Sequence, residues 1–256
     1  MTAFQAIILG LVQGLTEFLP VSSSGHLIIV QSLLNLDGEM LMFDAFVHIG
    51  TLVAVFIAFW KDIWALIKHP ICKFTGMIII GCIPAALMGY FLDDIFEHLF
   101  GSVIAVSCAL IVTGILLVIS DRMNGKKTID EMKCRDALLV GVCQGFAITP
   151  GLSRSGSTIF GALLCGLNRD DAAKFSFILS IPVILGAVFK TTVLDSLAGE
   201  VLVFEWTYVL GAIVAAMSGY FAVRLLLTLL HRKRMRYFSY YVWLLAIIII
   251  VSRIFV

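Results

Sequence analysis

PVSSSGH (residues 20–26) breaks an apolar run near the start of the chain, and PGLSRSGST (150–158) breaks another far downstream. Each sets serines and a His or an Arg beside a proline, between stretches of membrane-like hydrophobicity. Either these are ordinary loops, or they are a polar device used twice at membrane depth, and the choice decides the fold. The flanking arms are short: 3–19 and 21–35 around the first break, 137–149 and 155–167 around the second. At 1.5 Å rise per residue each arm crosses the roughly 30 Å hydrocarbon core poorly. Each pair therefore reads as a helix–break–helix that enters the membrane and leaves on the same side. The alternatives are one strained span per pair or an interfacial helix.

Working outward, the segments 43–60, 74–92, 100–120, 174–194, 203–223 and 237–256 are long enough to span. The 256 residues are 61% hydrophobic and 14% charged, against about 25% charged in a soluble domain, and mean hydropathy is +1.05. That composition is the polytopic membrane class, all α-helical, and it excludes a soluble nucleic-acid binder. The net charge of +1 says nothing about partners, because membrane proteins segregate charge by side. The six cysteines show no metal-like spacing and read as buried thiols without a disulfide framework. No basic region precedes the first apolar run, which argues against a cleaved signal peptide.

The chain also repeats itself. Shifted by 131, Gly10, Gln13, Gly14, Ser22, Ser24, Gly25 and Ile28 meet Gly141, Gln144, Gly145, Ser153, Ser155, Gly156 and Ile159. Shifted by 130, GCIPAALMGYF (81–91) meets GAIVAAMSGYF (211–221) with seven of eleven positions identical. The reading is one integral membrane domain of two repeats, about 1–125 and 132–256, each a re-entrant pair followed by three spans. Three is odd, so the repeats insert with opposite topology.

Charge gives a separate test. Loop 61–73 carries Lys61, Lys68 and Lys73; loop 121–136 carries Arg122, Lys126, Lys127, Lys133 and Arg135; loop 224–236 carries Arg224, Arg232, Lys233, Arg234 and Arg236. The alternating loops 93–99 and 195–205 hold Asp93, Asp94, Glu97, Asp195, Glu200 and Glu205 and no Lys or Arg. The positive-inside rule puts the basic loops in the cytoplasm, with both termini outside. Arg169 and Lys174 fall on the cytoplasmic side, while Lys190 and Arg253 must reach the outer one. The first pair then dips from outside and the second from inside, so their tips meet near the midplane, where inverted repeats build binding sites.

At each tip the second arm begins just after the serines. Its free N–H groups and positive dipole end favour an anion. Arg154 sits there between Ser153 and Ser155, and an intramembrane Arg calls for an anionic partner. The bland reading of the serines and glycines, Ser24, Gly25, Ser155 and Gly156 among them, is helix capping and close packing. Gln13 and Glu17 lie on one helical face. Glu17 can pair with Arg154, bind a divalent cation or act as a general base. His26 is about one turn beyond Ser23, which favours a chemical role, whereas His48 in the first long span reads as an ordinary polar group. A nucleophile, an acid–base pair and an anion pocket point to phosphate-ester or diphosphate chemistry, since mere passage of an anion needs none of them.

At these same residues, QGLTEFLPVSSSGH and PGLSRSGST, the chain resembles over essentially its full length the bacterial undecaprenyl-diphosphate phosphatases, also called bacitracin-resistance proteins. The resemblance implies a hydrolase of the bacterial cell membrane. It would cleave undecaprenyl diphosphate to the monophosphate and phosphate at the outer face, recycling the lipid carrier for peptidoglycan. Bacitracin competes for that substrate, hence resistance. The resemblance further implies a magnesium or calcium ion at Gln13 and Glu17, and catalytic roles for Glu17, Ser23, His26 and Arg154. Gln13 as a neutral amide is a weaker ligand than a carboxylate. Ser23 is taken as nucleophile and His26 as acid–base partner, although the two roles can be exchanged. Ser22, Ser24, Ser153, Ser155, Ser157 and Thr158 are the candidate substrate contacts. The rival reading is a transporter of polyprenyl phosphate or another anion.

Overall fold

The computed structural model describes residues 1–36, 40–100, 102–194 and 204–254. The described residues are helical throughout, apart from turns and one isolated bridge between Lys127 and Leu167. The helices are α1 (Ala3–Phe18), α2 (Ser23–Leu33), α3 (Leu41–Ala58), α4 (Trp60–Lys68), α5 (Lys73–Phe91), α6 (Asp93–Phe100) and α7 (Val103–Arg122). After them come α8 (Cys134–Phe146), α9 (Arg154–Leu164), α10 (Arg169–Phe189), α11 (Trp206–His231) and α12 (Arg236–Ile254).

Local chemistry sets the ends that matter. α1 starts at a capping box: Thr2 Oγ1 accepts from Gln5 N (3.3 Å) and Gln5 Oε1 from Thr2 N (2.9 Å). It stops where Pro20 forces Leu19 into extended backbone. α9 is capped by Ser153 and α10 by Asn168, whose side-chain oxygen accepts from Asp171 N (2.9 Å). Both short pairs are hairpins. Gln5 Nε2 reaches Leu34 O (3.3 Å), tying the far ends of α1 and α2 together. α8 and α9 pack so closely that a Cβ on Gly161 would meet Cys143 Sγ at 2.9 Å.

Backbone contact through small residues holds the hairpins in place. α1 lies along α11, where a Cβ on Gly10 would sit 2.4 Å from Gly211 O. α8 lies along α5, where a Cβ on Gly141 would sit 2.3 Å from Gly81 O. Gly10 and Gly141 are partners under the 131-residue shift, and Gly81 and Gly211 under the 130-residue one, so both contacts obey the same correspondence. α3 closes against α11, and a Cβ on Gly50 would meet Ala212 O at 2.2 Å. α7 pairs with α12, where Trp243 Nε1 donates to Ile111 O (3.1 Å).

Five described helices are long and apolar enough to span a membrane: Leu41–Ala58, Lys73–Phe91, Val103–Arg122, Arg169–Thr192 and Trp206–His231. α12 is a further apolar helix, shorter over its described part. Ile57, Leu87, Ile104, Ile213 and Met217 lie exposed on these helices, an apolar exterior that water would not tolerate. This is a multi-pass membrane protein.

The basic segments gather at one end of the bundle. Arg169 donates to the carbonyls of Ser120, Asp121, Met123 and Leu230, Lys174 pairs with Asp62 (2.8 Å), and Lys127 pairs with Asp136. Lys190 meets Asp93 (2.5 Å) where α5 and α10 finish, at the other end. Two loop readings need correction. Segments 61–73 and 93–99 contain α4 and α6, because Trp60, Trp64 and Ile63, or Phe96 and Ile95, give short amphipathic helices suited to an interface. The cysteines are free but not buried: Cys108 and Cys134 are exposed and the other four half-buried. An apolar run in a membrane helix faces lipid as readily as the core, so hydrophobicity did not imply burial. Asp195 and Glu200 lie outside the described residues, as do the side chains of Glu97 and Arg253.

Candidate active site

The two hairpin tips meet at Glu17, in the last turn of α1 and buried. Its Oε2 accepts a hydrogen bond from Ser23 Oγ (2.6 Å) and one from Gln13 Nε2 (3.1 Å). Its Oε1 pairs with the guanidinium of Arg154, the first residue of α9, across 137 residues of chain. The 13–17 helical pair is thus in contact, and the carboxylate links a hydroxyl of one hairpin to the cation of the other. Burial of either charge alone would be costly, and the pairing offsets it. His48 of α3 stands at the edge, with Nε2 3.9 Å from Glu17 Oε2 and Nδ1 2.6 Å from Asp44 O.

His26 takes partners other than Ser23. Its Nδ1 lies 2.7 Å from Ser22 O, one turn back on its own helix, and its Nε2 lies 2.6 Å from Tyr241 Oη of α12. The two rings stack with centroids 5.6 Å apart and planes at 15°. Ser22, the N-cap of α2, adopts φ 68°, an αL-side conformation that few non-glycine residues take. It makes no side-chain cap, which leaves the first N–H groups of α2 free of side-chain partners. Ser22 Oγ lies 3.4 Å from Ser24 Oγ.

The second break is more tightly tied. Ser153 Oγ accepts from Gly156 N (3.2 Å) and lies 3.3 Å from Ser155 Oγ, while Ser153 N donates to Thr113 Oγ1 (3.0 Å). The cap of α9 is therefore Ser153, and Ser24 and Ser155 fall inside the first helical turns rather than capping them. Thr158 Oγ1 is bound to Arg154 O (2.9 Å) and Ser176 Oγ (2.5 Å), facing the core. Ser157 is buried with its Oγ unpartnered.

A hard cation finds oxygen donors here. Gln13 gives its amide N–H to Glu17 and leaves Oε1 buried without a hydrogen-bond partner. Among the described residues no group of three or more His, Cys, Asp and Glu side chains forms a protein-only cage. One carboxylate and one amide oxygen, completed by phosphate oxygens, is a donor set that suits magnesium, so the residues fit.

Sequence reasoning did not place Tyr241 beside His26 or His48 beside Glu17. The Asp44–His48 spacing of four was visible, but nothing along the chain says that α3 packs beside α1. Tyr241 lies in an aromatic run, RYFSYYVW, with nothing to mark one ring from the others.

The family model described as bacitracin resistance protein BacA matches residues 6–248. The chain belongs to that family. It is 48% identical over 257 residues to a protein of Carboxydothermus hydrogenoformans named undecaprenyl-diphosphatase, covering 98% of this chain and 97% of that one. The like-named protein of Halothermothrix orenii is 45% identical, with 98% of each chain covered. An undecaprenyl-diphosphatase 4 of Bacillus thuringiensis is 42% identical, over 98% of this chain and 97% of the relative. Nearly the whole length of these relatives is matched, and residues 6–248 of the family match run from before Gln13 to beyond Tyr241.

Proposed function

We propose that this chain hydrolyses undecaprenyl diphosphate to undecaprenyl phosphate and inorganic phosphate, an undecaprenyl-diphosphatase whose activity recycles a wall-polymer carrier and confers bacitracin resistance. The observation that carries the site is the Ser23–Glu17–Arg154 contact between hairpins of opposite halves. Ser23 Oγ, already donating to Glu17, attacks the terminal phosphorus while Glu17 takes its proton. The bridging P–O bond breaks and undecaprenyl phosphate leaves. Water then cleaves the phosphoserine, and Ser23 recovers a proton. Arg154 and the uncapped N–H groups of α2 neutralise charge developing on the phosphoryl oxygens. Gln13 Oε1 and Glu17 would hold magnesium or calcium, which when bound would draw charge from the phosphate oxygens. His26 remains the second acid–base candidate, and exchange of roles with Ser23 would require it to leave Tyr241.

The paired glycine contacts and the gathering of basic segments at one end support two inverted repeats, with that end in the cytoplasm and both termini outside. The site then opens toward the outer face of the bacterial cell membrane, where bacitracin competes for the same lipid. Phosphate release from detergent-solubilised protein supplied with polyprenyl diphosphate, with and without chelator, tests the reading. Rapid release that chelation abolishes is expected. No release in detergent would favour the transporter, which can be scored only across a sealed membrane, and full activity after exhaustive chelation would remove the cation.

A further inference from the structure

We propose that Tyr241 is a positioning residue for this phosphatase, its phenol fixing the ring plane of His26 and the direction of its Nε2. The argument starts at Ser22. A backbone carbonyl only accepts, so the His26 Nδ1 lying 2.7 Å from Ser22 O carries a hydrogen. In the neutral ring Nε2 is then the acceptor, and the Tyr241 hydroxyl 2.6 Å away donates to it. Stacking at 5.6 Å and 15° sets the ring plane, so two hydrogen bonds and one face leave the imidazole no rotational freedom.

Ser22 alone does not do this, because its bond is a pivot that lets Nε2 swing. Tyr241 comes from α12, which also meets the break itself: Val242 and Ala246 pack with Val21 and Leu110. The phenol is thus carried by a helix wedged against the tip. A hydroxyl also suits both states of the ring, donating to Nε2 when it is bare and accepting from it once His26 has taken a proton. Tyr241 is half-exposed, so its ring borders open space as well as His26.

This rests on the reading of His26 as an acid–base group at the phosphoryl site, and the test separates the two. Full-length protein with 15N-labelled histidine is examined by NMR in the resting state, as wild type, His26→Ala to assign the signal, and Tyr241→Phe; phosphate release is measured alongside. The wild-type His26 is expected protonated on Nδ1 with Nε2 as a hydrogen-bond acceptor. Tyr241→Phe, which keeps the stack and loses one oxygen, should keep the Nδ1–H tautomer, shift the Nε2 resonance as its hydrogen bond is lost, and lower kcat about tenfold with KM within about twofold. An Nε2–H tautomer in the wild type overturns the proposal whether or not the variant folds. So does an unchanged Nε2 resonance in Tyr241→Phe, a kcat within about twofold of wild type, or a loss confined to KM. If His26→Ala turns over normally, the acid–base reading fails. If His26→Ala is inactive and Tyr241→Phe normal, only the positioning role fails.

Discussion

A serine that already donates to a buried carboxylate at 2.6 Å is set up to lose its proton, and that makes Ser23 the informative residue to change. Ser23→Ala removes the attacking atom and leaves the Glu17–Arg154 pair whole. Turnover should fall by at least about a hundredfold with binding of substrate retained, as read by phosphate release and by competition with labelled lipid. A near-normal rate would move the nucleophile to His26 or to water. Arg154 needs a subtler change, because Arg154→Ala strands Glu17 unpaired in the interior and costs about 3–5 kcal/mol of stability. Arg154→Lys keeps the charge and loses the planar fork. It should fold with nearly wild-type thermal stability and lose on the order of 3 kcal/mol of transition-state stabilisation, about a hundredfold in rate. A stable, fully active Arg154→Lys would reduce that residue to a counter-charge for Glu17.

At the scale of helices, the site depends on how closely α1 approaches α11. A Cβ on Gly14 would stand 2.0 Å from Ser218 Oγ and 2.4 Å from Ala215 O; the hydroxyl can rotate, but the carbonyl is backbone and cannot. Gly14→Ala must push the helices apart and carry Glu17, less than one turn away, with them. A stability loss of about 1–3 kcal/mol is expected, with activity falling further than stability does. Gly76→Ala in α5 is the control, since nothing lies within 4 Å of its Cβ and the alanine is the better helix former. Melting in detergent for both variants checks the pair, and equal losses would mean that close approach is not what holds α1. The α1–α2 hairpin was legible because Pro20 ends a helix and the serines after it favour the start of the next. The helices α4 and α6 were not: each is a single amphipathic stretch of nine or eight residues, stable only against a neighbour or an interface.

For the whole molecule, the decisive property is which end faces the cytoplasm. Cysteines introduced one at a time into a cysteine-free background at Asp94 and at Lys126 or Arg232 should label from opposite sides of intact cells, Asp94 from outside. Labelling of both sets from one side would remove the inverted arrangement and the outward-facing site together.

Hydrophobicity, the 130–131-residue shift and the alternation of basic and acidic loops are properties of the chain as a string, so membrane class, the placement of the long helices and the duplicated breaks could be read without coordinates. Glu17, Ser23 and Arg154 were legible too, because a charge or a serine cluster in an apolar run has no inexpensive explanation except a partner. Their actual partners were another matter. That Ser23 donates its hydrogen bond to Glu17 rather than to His26, that His26 answers to Tyr241 some 215 residues away, and that His48 borders the carboxylate all depend on which helices lie side by side. Those neighbours are chosen by small-residue contacts between α1 and α11 and by the wedge of α12 against the tip, interactions that are shared among distant residues and leave no local mark on any one of them.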